Sequence, residues 1–274
     1  MLSKQDVNEL LSEFLEYSDF KKHFNNNKLV TVYVSGSIME GFGNEESDID
    51  VFVISNSDIK QNVIDYAESN KEFTLYIKPE KLIISTLYNN INIDFEFYNY
   101  RYIENYIQEI NSGIAEYHEN KFDLIHRMKY GFSVIGKEKF NSMLNSINFN
   151  NYNLIQTKIV NDYYIVKSKD IKGAIQEQQY PTAYYMSLDL LQNCVSAYLS
   201  LYGETNPNNK WIFKKINRYQ KNNEVDIDLK GIVYNAYSNI DLYDEESTKK
   251  KTIQILKNCQ KINSLIEKRK ANVY

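Results

Sequence analysis

Only two cysteines occur in 274 residues, and no third stands with them to complete a zinc site. Cys194 lies in the helical pattern SLDLLQNCVSAYL and Cys259 in a lysine-rich helical segment, with no CxxC spacing, so both read as reduced, structural residues. Long apolar runs are also missing. Nothing approaches the roughly 18 consecutive apolar residues that a membrane span needs. The N-terminal MLSKQDVNELLSEF lacks the apolar centre of a secretory leader, which makes a cytoplasmic protein the expectation. There is no overall excess of basic charge: a net charge of -4 argues against a strong, general nucleic-acid binder. The balance is uneven, because residues 210–274 hold fourteen basic against eight acidic side chains. Such a run is usually a solvated helix face, and it keeps an RNA partner open. No GxxxxGK[ST] occurs, and GFGNEE lacks the third glycine of a dinucleotide loop, so P-loop and Rossmann readings fail.

What is present is an ordinary globular composition, 43% hydrophobic and 25% charged, enough to bury a real core. Residues 4–24 place Val7, Leu10, Leu11, Phe14, Leu15 and Phe20 at helical spacing. The period then changes. Leu29 to Val34 and Ile49 to Ile54 are β-branched and aromatic, and the segment between them, with Gly36, Gly41 and Gly43, reads as a glycine-rich turn holding at most one helical turn. Residues 58–69 read as a helix, and KLIISTLYNNINIDFEFYN as a hairpin turning at Asn89-Asn90. Its second arm alternates strictly, with Ile91, Ile93, Phe95 and Phe97 on one face and Asn92, Asp94, Glu96 and Tyr98 on the other. Beyond residue 100 no further strand is expected. Helices are predicted over 101–111, 120–130, 137–146, 152–176, 181–202, 209–220, 230–240 and 246–270. The expected architecture is therefore α+β: a mixed sheet flanked by helices over residues 1–147, then an all-helical domain over 148–274.

The chemistry concentrates in VYVSGSIMEGFGNEESDIDVFVI. Residues two apart on a strand share a face, about 6.6 Å from each other, so Asp48 and Asp50 project together. Two carboxylates about 4 Å apart repel by roughly 4 kcal/mol at an effective dielectric near 20. A divalent cation is the natural counter-charge, since hard Mg²⁺ prefers carboxylate, phosphate and water oxygens. Asp94 on the polar face of the later strand is the best-placed third acid, with Glu96 two residues further along. Gly36 lets backbone N–H groups approach an anion, and Ser37 adds a hydroxyl at the start of a turn that favours phosphate. Lys210, beside Trp211 after an Asn-rich loop, is a further candidate phosphate contact, while a lone Trp at a helix start more often anchors packing. His23, His118 and His126 lack ligand spacing and read as structural. Glu40, Glu45 and Glu46 read as solvent-facing.

These residues resemble the nucleotidyltransferases of the DNA polymerase β type: Gly36-Ser37, a short gap, Asp48-Ile49-Asp50 preceded by Ser47, and Asp94 within INIDFEF. The resemblance covers residues 28–98, and the helical remainder is similar in general character to the second domain of antibiotic-type (aminoglycoside or lincosamide) members. It implies transfer of a nucleoside monophosphate from an NTP, ATP among them, to an acceptor hydroxyl, with release of pyrophosphate and two Mg²⁺ ions. By resemblance Asp48 and Asp50 hold both metals and the triphosphate, Asp94 the catalytic metal, and Gly36 and Ser37 the terminal phosphates, with Ser47 also placed among the nucleotide contacts. The base is Asp94, Glu96 or an acid of the helical half. GFGNEE departs from the common Arg-Gly-Glu form of the minimal members. The acidic net charge favours a small hydroxyl acceptor such as an antibiotic, held mainly by the helical half in a cleft between the domains. A protein side chain, tRNA or other RNA, synthesis of an oligonucleotide messenger, and a non-catalytic nucleotide-binding module are the alternatives.

Overall fold

A computed structural model describes residues 2–24 and 29–271, so residue 28, the first of the resembling stretch, lies outside them. The chain is α+β, with a six-stranded mixed sheet and its flanking helices followed by many helices. In chain order the first elements are α1 (Lys4–Tyr17), α2 (Phe20–Phe24), β1 (Leu29–Ser35), β2 (Ile49–Ser55), α3 (Lys60–Ser69), β3 (Thr74–Ile77), β4 (Leu82–Tyr88) and β5 (Ile91–Asn99). Next come α4 (Tyr100–Asn111), α5 (Glu119–Tyr130), β6 (Phe132–Ile135) and α6 (Lys137–Asn145). The remainder is α7 (Phe149–Gln176), α8 (Tyr180–Ser200), α9 (Ile212–Asn222) after a 3-10 turn at Asn209–Trp211, α10 (Leu229–Tyr237) and α11 (Glu245–Ala271). Two compact units result. One comprises residues 1–114 and 120–148, the other 115–119 and 149–274. Among the described residues no helix is long and apolar enough to cross a membrane.

The sheet order is β3-β4-β5-β2-β1-β6, and only β2 and β5 run parallel. Its hairpin turns where expected. Asn89 and Asn90 both have positive φ, 50° and 62°, the left-handed pair that a two-residue turn between twisted strands requires. One face is mainly apolar: Val32, Val34, Val51, Val53, Ile93, Phe95 and Phe97 meet Val7, Leu11 and Phe14 of α1, Phe20 and Phe24 of α2, and Val63 of α3. Phe95 is the centre of this layer, stacked on Phe14 at 5.3 Å and on Phe20 at 5.2 Å between ring centroids. The opposite face is mixed. Tyr33 lies between Phe52, at 4.9 Å, and Phe140 of α6, at 5.0 Å, while Asp50, Asp94 and Glu96 alternate in from β2 and β5.

Three expectations need correction. The single helix over 4–24 is two, because Ser18 caps α1 and Asp19 takes a left-handed φ of 52° that breaks the repeat. A strand does occur beyond residue 100: Phe132–Ile135 pairs antiparallel with β1 and closes the sheet edge. Four half-buried residues between two helices carry too short a period to announce a strand. β3 was likewise not anticipated, being four residues on the other edge. Between β1 and β2 the chain forms the expected glycine-rich turns, with one i to i+4 bond from Glu40 N to Gly36 O at 3.0 Å.

In the helical unit α8 is central, burying thirteen side chains, Leu190, Leu191, Val195 and Leu199 among them. Ile216, Tyr219, Leu229, Val233, Ile255, Ile262 and Ile266 complete that core. Cys194 and Cys259 are both free and buried within it. The loop GETNPNN is packed through polar contacts: Arg218 grips buried Glu204 with Nε at 2.8 Å from each oxygen, and buried Lys215 donates to Asn206 O at 2.8 Å. Replacing Phe95 by Ala removes both ring stacks and leaves a cavity in the sheet layer, and is expected to destabilise the protein by about 3–5 kcal/mol in urea unfolding.

Candidate active site

The site begins at the end of β1. Gly36 has φ +94°, a conformation open to glycine, and a Cβ there would lie 1.9 Å from Asp50 Oδ2. The turn therefore passes directly over the Asp50 carboxylate because residue 36 has no side chain. Phe42 N and Gly43 N both donate to Ser37 O at 2.8 Å, and Gly41 N donates to Ile38 O. Among the turn's own bonds, the amides of Ser37, Ile38 and Met39 are not donors. That leaves three successive N–H groups at the start of a turn, the arrangement that suits an anion. Ser47 is occupied locally: Asn44 N donates to its Oγ at 2.9 Å, and the hydroxyl donates to Asn44 Oδ1 at 3.0 Å, which holds the loop just ahead of β2. Asp48 follows, exposed at the strand mouth, beside an open pocket of about 350 Å³ lined by Ile38, Asn44, Ser47, Asn90 and Asn92.

Parallel pairing of β2 with β5 sets Asp50 directly opposite Asp94, and Phe52 opposite Glu96. On the far side of β5, Ser85 is opposite Asp94 and donates its hydroxyl to Oδ1 at 2.5 Å. The electrostatics follow from this crowding. Burial pushes the Asp50 carboxyl up to about 6; Arg127 pulls against that shift, and Glu96, Asp94 and Asp123 add to it. Burial also raises Asp94; the Ser85 bond opposes the rise, and the charges of Asp48 and Glu96 reinforce it. Asp48 thus acts on Asp94, and Asp94 on Asp50, so the three aspartates share one field. Glu96 is held on one oxygen: Lys81 Nζ and Tyr98 Oη each stand 2.7 Å from its Oε2.

Two residues that sequence reasoning passed over complete the cluster. Arg127 of α5 places Nη1 3.3 Å from Asp50 Oδ2 and Nε 3.2 Å from both oxygens of Asp123. Its carbonyl accepts the Ser35 hydroxyl at 2.6 Å, so β1 is tied to the same helix. The only sequence signal was the Asp123/Arg127 spacing of four, which equally describes a solvated helix pair. Tyr33 Oη is buried and has no hydrogen-bond partner among the described residues, in the field of Glu96, Asp123 and Arg127. Glu40 requires a correction. It is buried, with its Oε2 3.1 Å from His126 Nε2, whereas Glu45 and Glu46 are exposed as expected. Lys210 belongs to the helical unit, where its ammonium stands 4.8 Å from the centre of the Trp211 ring.

Among the described residues, no group of three or more His, Cys, Asp or Glu side chains is gathered closely enough to hold a metal by itself. The donor set nonetheless fits a hard divalent ion. All donors are carboxylate oxygens, Asp50 and Asp94 are in register, and burial, reinforced by neighbouring carboxylates, raises both carboxyls. Mg²⁺ keeps several waters and completes its shell from phosphate, so one or two carboxylates suffice.

Because the Asp50 carboxyl moves up from 3.8 to about 6, the folded protein holds that proton more tightly than the unfolded chain. The associated stabilisation is full below pH 3.8 and is lost as the pH rises through 6. Asp50→Asn is therefore expected to gain on the metal-free wild type by up to about 2 kcal/mol as the pH goes from 4 to 7, read from thermal unfolding. Adding Mg²⁺ at pH 7 should raise the melting temperature of the wild type and leave that of Asp50→Asn unmoved.

No curated protein matches the chain. Among solved structures it is similar to a nucleotidyltransferase-like protein from Exiguobacterium sibiricum 255-15, at 10% identity, covering 94% of this chain and 74% of that one with a TM-score of 0.50, a likeness of fold. Residues 16–110 match the family described as "Nucleotidyltransferase domain", a stretch that contains Gly36, Ser37, Asp48, Asp50 and Asp94 and supports nucleotidyl transfer as the general reaction class.

Proposed function

We propose that this protein transfers a nucleoside monophosphate from an NTP to an acceptor hydroxyl in a Mg²⁺-dependent reaction. The observation that carries the reading is that Asp50, in register with Asp94, lies directly against the Gly36 turn. Asp48, Asp50 and Asp94 would hold two Mg²⁺ ions, which supply charge neutralisation for the phosphoryl oxygens. The backbone amides of residues 37–39 and the Ser37 hydroxyl take the terminal phosphates. The acceptor oxygen attacks the α-phosphorus, the bond to the β-phosphate oxygen breaks, and pyrophosphate leaves. Asp94, its carboxyl already above the ordinary range, is suited to take the acceptor's proton. Glu96, with both neighbours donating to it, holds Lys81 and Tyr98 in place instead of accepting that proton.

For the acceptor, the net charge of -4 favours a small hydroxyl compound, an aminoglycoside-like antibiotic being one example. An RNA acceptor is the second reading, supported by the fourteen basic residues against eight acidic ones over 210–274.

Incubation with each α-labelled NTP, Mg²⁺ and acceptor pools is expected to move label to an acceptor and release pyrophosphate. Absence of release with every pool, cell extract included, would sink the proposal. Asp48→Asn and Asp94→Asn should each lower the rate by about a hundredfold or more. At limiting Mg²⁺ the rate should fall as the pH drops through about 6, where Asp50 takes up its proton. Saturating Mg²⁺ competes with that proton, so the acid limb should move to lower pH.

A further inference from the structure

The turn that carries the candidate phosphate amides buries every second side chain: Ile38, Glu40 and Phe42 point inward, at 8%, 8% and 4% exposure. Two are apolar, and the third is a carboxylate. Its partner, His126, lies 86 residues away on α5 and is itself 1% exposed. Since a carboxylate only accepts, the imidazole Nε2–H donates, and burial holds His126 below its usual titration range. If packing were all that this position required, a third apolar residue would serve better. Replacing a buried polar pair by well-packed apolar side chains is often neutral or stabilising. What an apolar contact lacks is direction. A hydrogen bond between buried groups fixes distance and angle, whereas apolar side chains slide and repack.

The position of His126 gives that direction a use. The next residue, Arg127, contacts Asp50 through its guanidinium and holds Ser35 through its carbonyl. One turn of α5 therefore grips the end of β1, the phosphate turn and the metal-facing carboxylate of β2. We propose that Glu40 and His126 are positioning residues for the triphosphate, tethering the Gly36–Gly43 turn to α5 so that its amides and the Asp50 carboxylate keep one fixed spacing. This rests on the nucleotidyltransferase reading of the site and adds to it a residue pair that touches neither metal nor substrate.

The test uses the full chain and an NTP analogue with a non-cleavable α,β-bridge, with Mg²⁺, in calorimetric titration, alongside urea unfolding and steady-state rates. Glu40→Ala and His126→Ala should each weaken analogue binding and raise KM for NTP about tenfold, with kcat within about threefold of wild type. The double variant should be no worse than the poorer single one. Glu40→Gln, which can still accept from the imidazole, should bind within about threefold of wild type. Should the alanine variants fail to fold, Glu40→Leu/His126→Leu restores apolar packing without the tether. It should be at least as stable as the wild type and still bind about tenfold more weakly. Wild-type affinity in that folded variant, or additive effects of the two alanine changes, would overturn the inference and leave the nucleotidyltransferase reading standing. A wild type that binds no NTP analogue would take down both.

Discussion

The parallel pairing of β2 with β5 puts two aspartates side by side on a half-buried sheet face, and most of what surrounds them answers the resulting repulsion. Asp50 and Asp94 are ladder partners, so their backbones hold them together whatever their charges prefer. The apolar side of the same strands makes this register expensive to change. Ile49, Val51, Val53, Ile93, Phe95 and Phe97 all lie in one core, and a slip of either strand by one residue would turn all three of its apolar side chains outward. Hydrophobic burial on one face thus enforces electrostatic conflict on the other. Ser85 relieves part of it at Asp94 through its hydroxyl, and Arg127 relieves part at Asp50.

Helix α5 is the second element of that answer. It supplies a cation to Asp50, an acid to hold that cation, a carbonyl for Ser35 and an imidazole for Glu40. The helix also carries the apolar side chains Phe122, Leu124, Ile125 and Met128, which are buried in the unit. Its polar contacts therefore come with an orientation already set by packing. A guanidinium shared between Asp50 and Asp123 is better placed than a lysine would be, since its planar donors serve two carboxylates at once.

How far the sequence showed this in advance depends on the range over which each signal acts. Strict alternation from Ile91 to Phe97 announced both the strand and the side on which Asp94 lies, because the period of a strand is local. The Asn89-Asn90 turn was readable for the same reason, needing only two residues that tolerate positive φ. Glu40 was misread because a glutamate among glycines has every local mark of a solvent-facing turn. Its burial is decided by a histidine 86 positions later. Arg127 was invisible in the same way: its i to i+4 acid partner explains it completely until the packing of α5 beneath Asp50 is known. β6 fell below the length at which alternation can be recognised at all.

The same electrostatics bear on the order of binding. Around the site the carboxylates of Asp48, Asp50, Asp94, Glu96 and Asp123 face the cations Arg127 and Lys81, five against two. A triphosphate approaching that field is repelled. On the proposed reading two divalent cations would reverse its sign, and nucleotide affinity would then rest on metal arriving before the triphosphate or together with it. A sixth carboxylate open to the phosphate amides would undo much of that reversal, and Glu40 lies in the very turn that presents them. Its side chain is instead turned inward against His126, and on the proposed reading the buried pair would keep that carboxylate away from the phosphate amides as well as tether the turn.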